Sequence, residues 1–138
     1  RNPQALLLMG QLHYENGQYD EAEPFLQKIT AGGEVRHASD ALMARIDLAR
    51  VVDVLDSPDL LLAGVSANPE NVRAYLDLGC WHLHLGDMEA GFEALLKAAA
   101  KGEQAEEARH RIVQGFAILG PGHEMTRAYR SRLASLLF

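Results

Sequence analysis

The sequence predicts an all-α domain of about eight antiparallel helices stacked as a right-handed superhelix, and three observations carry that prediction. The apolar residues are mostly Ala and Leu, strong helix formers, and β-branched side chains are sparse. Leu6-Leu7-Leu8-Met9-Gly10 recurs as Tyr75-Leu76-Asp77-Leu78-Gly79, with Gly17 matching Gly86 and Ala22 matching Gly91 at the same spacing. Downstream, Ala105, Ala108, Ile112, Phe116 and Leu119 return at three- and four-residue intervals, the period of one helical face.

The first helical hairpin is expected over about residues 3–31. Leu6 and Met9 lie three apart and share a face. Gly10 sits on that face without a side chain, so a partner helix can approach closely, and Ala22 presents a small residue in return. Asn16-Gly17 stops the first helix, because glycine takes the left-handed cap conformation cheaply. Asp20 then starts the second as N-cap or first-turn acid, and Leu26 and Ile29 close it onto the first. Pro24 bends this helix if it begins at Tyr19 and costs little if it begins at Asp20 or Glu21.

The two clear copies lie 69 residues apart, from Gly10 to Gly79, about two periods of a ~34-residue unit. A degenerate unit must therefore lie between, over about residues 36–67. Asp40–Val54 reads as its first helix, with Leu42, Ile46 and Ala49 on one stripe. Ser57-Pro58 starts the second, serine as cap and proline at the first helical position, and Asn68-Pro69 ends it. Lacking the inter-helix glycine, this unit has a longer first helix and a shorter second.

The third hairpin, about 70–101, repeats the first. Tyr75, Leu78 and Gly79 form the contact face, Leu85-Gly86 the stop, Asp87 the restart, and Gly91, Leu95 and Ala98 the returning face. A helix over Gln104–Leu119, within 103–119, ends at Gly120-Pro121-Gly122. The last, from about Glu124 to Leu137 within 123–138, carries Met125, Ala128, Tyr129, Leu133, Leu136 and Leu137 as its apolar side. This arrangement resembles the tetratricopeptide repeat, and the resemblance implies a single domain, 1–138, whose hairpins bury one continuous core.

Composition narrows the function. The net charge of −6 comes with no dense basic stripe to attract a phosphate backbone, so nucleic acid is a poor partner. Cys80 is the single cysteine, which rules out an internal disulfide or a Cys-based zinc site and fits a reducing compartment. The longest apolar runs, Leu60–Val65 and Phe116–Leu119, are far too short to span a membrane, and no secretory signal pattern opens the chain. A cytoplasmic location is expected. The sequence opens on Arg1 rather than methionine and reads as a fragment of a longer protein.

No catalytic, cofactor or metal site emerges. His82 and His84, two apart, point to different sides of a helix. His13 and His82 occupy equivalent places that the repeat fills with a large aromatic, so both read as structural. Glu106 and His110 could share an ion, but no second ligand pair accompanies them, and a solvated face explains them. Cys80, beside Trp81 in mid-helix, lacks a second cysteine or a helix N-terminus to activate it. Ser39, Ser57 and Ser66 fall at expected helix ends, where capping explains them.

Surfaces remain. In stacked hairpins the first helices line a concave protein-docking groove, here expected from Leu7, Gln11 and Tyr14 of one repeat and Arg73, Leu76, Cys80 and Leu83 of another. That lining is apolar and lacks the Lys, Arg and Asn that clamp a peptide carboxylate, so acidic C-terminal tails are not its ligands. The last helix, punctuated by Arg127, Arg130 and Arg132 and running into Leu136-Leu137-Phe138, is either docked on its neighbour or offered to a partner, and the two are compatible.

Three features together resemble the C-terminal half of the bacterial YbbN-type chaperedoxins, which join a thioredoxin-like domain to tetratricopeptide repeats. They are the hairpin with Asn16-Gly17-Gln18-Tyr19-Asp20-Glu21-Ala22, the degenerate repeat ending Asn68-Pro69-Glu70-Asn71, and the tail Leu119-Gly120-Pro121-Gly122 with Tyr129 through Phe138. The likeness spans nearly the whole chain, and the tail is its most specific part. It implies a holdase and co-chaperone that passes unfolded clients to ATP-driven chaperones. Tyr129, Arg130, Arg132, Leu133, Leu136 and Phe138 would contact the chaperonin. The chain departs from the family in having no thioredoxin-like domain and no Cys-x-x-Cys or Ser-x-x-Cys motif, and it begins after the family's first hairpin. The alternative is a scaffold that assembles one defined complex. The sequence does not fix the oligomeric state.

Overall fold

Several helices begin or stop where the sequence supplies a chemical reason. The computed structural model describes residues 2–138. Among these are eight helices and no strand: α1 (Pro3–Glu15), α2 (Tyr19–Gln27), α3 (Gly33–Val52), α4 (Pro58–Ala67), α5 (Val72–Leu85), α6 (Met88–Ala99), α7 (Ala105–Leu119) and α8 (Glu124–Leu137). Asn2 caps α1, its side-chain oxygen accepting the Gln4 and Ala5 N–H groups at 2.9 and 3.3 Å. Ser57 Oγ accepts the Leu60 N–H at 3.3 Å, and Asn71 Oδ1 the Ala74 N–H at 3.1 Å. Each of these side chains satisfies a donor that the first helical turn leaves free.

The two clear hairpins stop their first helices by one device. Gly17 (φ 73°) and Gly86 (φ 89°) take the left-handed conformation. The next residue's N–H then reaches back five residues, Gln18 to the His13 carbonyl and Asp87 to the His82 carbonyl, both at 2.8 Å. α2 starts at Tyr19, so Pro24 lies inside it, exposed, and withholds the N–H that would otherwise bond the Asp20 carbonyl.

The glycines on the contact faces are needed for space. A Cβ on Gly10 would lie 2.5 Å from Leu26 Cδ2, and one on Gly79 would lie 2.5 Å from Leu95 Cγ and 3.3 Å from the Gly91 carbonyl. Gly91 in turn admits Leu83, whose Cδ2 would meet an added Cβ at 2.6 Å. The leucine one turn beyond Ala22 or Gly91, rather than that small residue itself, fills the glycine notch.

The degenerate unit has the predicted proportions, with α3 20 residues long and α4 10. Its packing departs from expectation in two respects. α3 begins at Gly33 rather than Asp40, which leaves Ser39 buried inside the helix instead of capping it. α3 and α4 also do not pack on each other as a hairpin. α4 rests on α5 alone, through Leu61 and Val65 against Ala74 and Leu78. α3 instead packs on α1, α5 and α7 and touches α2.

With α5 on α6 and α6 on α7, α3 closes a ring of four helices around the main core. Leu48 and Val52 (α3), Leu76 (α5), Phe92 and Leu95 (α6) and Ile112 (α7) meet there. A smaller core under the first hairpin gathers Ala22, Leu26, Ile29, Leu42 and Ile46. α8 closes the far side on α6 and α7, burying Thr126, Tyr129 and Leu133 while Ala128, Leu136 and Leu137 of its expected apolar side face solvent. The Thr126 hydroxyl donates to the Gly120 carbonyl at 2.8 Å, which makes a polar residue acceptable in that buried place.

Two helical glycines therefore respond oppositely to alanine. Gly79→Ala overpacks α5 against Leu95 and lowers stability by about 1–3 kcal/mol, despite alanine's better helix propensity. Gly64→Ala, in α4 with nothing within 4 Å of the new Cβ, raises stability by up to about 1 kcal/mol. Urea denaturation of both variants reads the contrast.

Candidate protein-binding surfaces

The expected groove divides into two parts. Leu7 and Tyr14 are half-buried and Gln11 is exposed on α1, and Arg73 is exposed at the start of α5. Leu76, Cys80 and Leu83 are 0, 1 and 1% exposed, so they do not line an open surface. The physical reason is α3. It lies where the concave face of α5 would be open and covers it with Leu48 and Val52.

A polar seam holds α3 there. Asp47 of α3 accepts from Arg111 Nη1 at 2.8 Å and from Gln114 Nε2 at 2.6 Å on α7, and Arg111 also donates to the Gln114 side-chain oxygen at 3.0 Å. Glu107 of α7 continues the seam to Arg73 at 3.3 Å, and Arg73 pairs with Asp77 at 3.1 Å. Burial raises the Asp77 carboxyl above its ordinary range, and Arg73 offsets part of that shift. Arg50 ties the other end of α3 to α2 by ion pairs to Asp20 and Glu23, both at 2.5 Å. Sequence reasoning missed Asp47, Glu107, Arg111 and Gln114. Only the Glu107–Arg111 spacing of four gave any local sign of them.

Cys80 is a packing thiol. Desolvation pushes it up from 9.0 to about 12, so it stays protonated and unreactive at neutral pH. His13 stacks on Phe25 with ring centres 5.4 Å apart and meets the Gln18 side-chain oxygen through Nδ1 at 2.8 Å. His84 packs edge-on to Trp81, whose indole N–H donates to the Asp56 carbonyl at 2.8 Å. Among the described residues no three His, Cys, Asp or Glu side chains gather where they could hold a metal ion. No described helix is long and apolar enough to cross a membrane.

The tail residues also divide. Tyr129 and Leu133 are docked, Tyr129 with its ring centre 4.7 Å from that of Phe92 and its hydroxyl donating to Glu93 at 2.7 Å. Arg132 pairs with the same carboxylate and lies over the Tyr129 ring at 5.2 Å. Hydrogen bonds from Arg132 and Tyr129 hold Glu93 below its ordinary range, and burial followed by the Glu93 hydrogen bond pushes Tyr129 up to about 12. Arg130, Leu136 and Phe138 are exposed, Phe138 completely. Leu136 lines, with Glu93, Leu96, Lys97, Arg132 and Ser135, a cleft of about 410 Å³, whereas Arg130 lies over the Phe116 ring. The tail thus supplies both an anchor and a free surface.

Stacked helical hairpins with glycine notches and a docked last helix with a free face define a helical protein-interaction module. The chain belongs to the tetratricopeptide repeat family. A model described as tetratricopeptide repeat matches residues 55–138, and a second of the same description matches residues 3–31. The stretch between them, 32–54, holds the α3 helix that departs from hairpin packing. No curated protein and no solved structure matches the chain.

Two outcomes check this description. Tyr129→Phe removes the hydrogen bond to Glu93 and lowers stability by about 0.5–1.5 kcal/mol, measured by thermal or urea unfolding. Cys80 ionises far later in the folded chain than in the unfolded one, so unfolding gains from ionisation as pH rises. Its contribution is fully present below pH 9.0 and falls by up to about 1.4 kcal/mol per unit on the way to 12. The difference in unfolding free energy between the parent chain and Cys80→Ala, followed from neutral to alkaline pH, should shrink over that window.

Proposed function

We propose that the chain is the protein-binding module of a thioredoxin-like co-chaperone, a holdase that keeps unfolded clients and passes them to chaperones. One observation carries the reading. α8 is fixed by Tyr129 and Leu133 and leaves Leu136 at the Glu93–Arg132 cleft, with Arg130 and Phe138 also facing solvent. An apolar end held in place by its own docked half is preorganised for a protein partner and loses little entropy on binding. The resemblance of the tail to YbbN-type chaperedoxins supplies the partner, a chaperonin.

A second reading has its own support. With Leu76, Cys80 and Leu83 covered by α3, the broad apolar groove that would hold varied clients is closed, which favours a scaffold engaging one folded partner at fixed surfaces. Cross-linking separates the two, since a scaffold yields one stoichiometric partner and a holdase a spread of clients.

The co-chaperone reading predicts that the domain slows aggregation of an unfolded model client and that chaperonin binds it in pull-down. Leu136→Ser/Phe138→Ser, which leaves the docked half of α8 intact, reduces chaperonin binding at least tenfold, a loss of about 1.4 kcal/mol. Unchanged chaperonin binding together with no suppression of aggregation refutes the reading.

A further inference from the structure

α2, α3 and α5 meet around a cavity distinct from the α8 surface. Tyr19 begins α2 at its wall, Arg50 and Asp53 come from the C-terminal end of α3, and Trp81 and His84 come from α5. They enclose about 330 Å³, within the range of ligand-binding pockets. Neither α1 nor α8, the first and last helices, contributes to the lining.

The walls have two characters. Tyr19, Trp81 and His84 are half-buried rings. The Trp81 N–H is engaged by the Asp56 carbonyl at 2.8 Å, and His84 packs edge-on to the indole with ring centres 5.9 Å apart, so this wall is held in place. The charges beside it are unbalanced. Arg50 gives its two terminal nitrogens to Asp20 and Glu23 on α2, both at 2.5 Å. Asp53 is exposed and pairs with no cation among the described residues. One positive charge thus stands among three negative ones. A second hollow of about 250 Å³, lined by Asp20 and Glu21, shares Tyr19 and Arg50 with the first and carries the acidity onward.

We infer that this cavity binds a basic side chain, lysine or arginine, presented by an exposed segment of a protein partner. The chemistry selects that occupant over others. An anion would enter against net negative charge. A purely apolar side chain would strip water from Asp53 without giving it a partner. A bare metal ion would find too few ligands, since among the described residues no three His, Cys, Asp or Glu gather to hold one. A lysine or arginine satisfies both walls at once, its methylene stem against the rings and its charge toward Asp53. The rings add cation–π attraction. Arg50 does not fill this role itself, because its guanidinium is bound to α2. The inference goes beyond the co-chaperone reading and involves no residue of α8, so either can fail alone.

Trp81 is the single tryptophan, and its fluorescence therefore reports on the cavity directly. Titration of the full chain at low salt with an end-capped Gly-Gly-Lys-Gly-Gly peptide should give a saturable change with a Kd on the order of a millimolar. The same peptide with norleucine in place of lysine should give none. Asp53→Lys sets a like charge beside the ligand and should weaken binding on the order of tenfold. A basic residue suits a helix C-terminus, so this variant keeps its fold, which circular dichroism checks. Asp53→Asn, removing the charge alone, should weaken binding about two- to fivefold and carries the comparison if Asp53→Lys does not fold. No saturable response to the lysine peptide, an equal response to the norleucine peptide, or undiminished binding by the folded Asp53 variants would each overturn the inference.

Discussion

The approach of α5 to α6 sets the terms for the rest of the molecule. With hydrogen at Gly79 and Gly91, Leu95 seats in one notch and Leu83 in the other, and the two helices interdigitate from both sides. This closeness lines up Leu76, Cys80 and Leu83 on one helix with Phe92, Leu95 and Ala99 on the other as a continuous apolar wall. A wall of that size must be covered, because exposed apolar area costs roughly 25 cal/mol per Å². α7 takes one side and α3 the other.

That second cover changes the character of the domain. In a regular repeat array each first helix would leave its concave face to a ligand. Here the long α3 occupies the place, and Asp47 fastens it to Arg111 and Gln114. The chain has in effect supplied its own groove occupant. What remains open to a partner includes the solvent-facing side of α8.

What could be read from residues was what local chemistry decides. The glycine notches, the Gly17 and Gly86 stops, the Ser57-Pro58 start and the proportions of α3 and α4 all follow from spacing and conformational preference, and the structure has each of them. The packing of α3 was beyond that reach. Leu42, Ile46 and Ala49 announce an apolar stripe, and all three are buried, but a stripe does not say which helix covers it. Asp47 and Gln114 meet across 67 residues of sequence, and neither carries a local mark of the other. The groove assignment failed for the same reason: Leu76, Cys80 and Leu83 face the concave side, as the repeat pattern implies, and α3 has already filled it. On α8 the helical period identified Tyr129 and Leu133 as apolar-side residues, but could not tell that docking stops short of Leu136 and Leu137.

α4 stands apart from this closed arrangement. It touches one neighbour, α5, and Leu60 and Leu62 remain largely in water. Releasing it breaks the contacts of Leu61 and Val65 and leaves the four-helix ring untouched. Local opening is easiest where few buried contacts must be given up, so amide protons in α4 exchange with solvent well ahead of those in α5 and α6. The domain is then a slow-exchanging ring with one helix in rapid equilibrium at its side, a division that follows from the missing contact between α3 and α4.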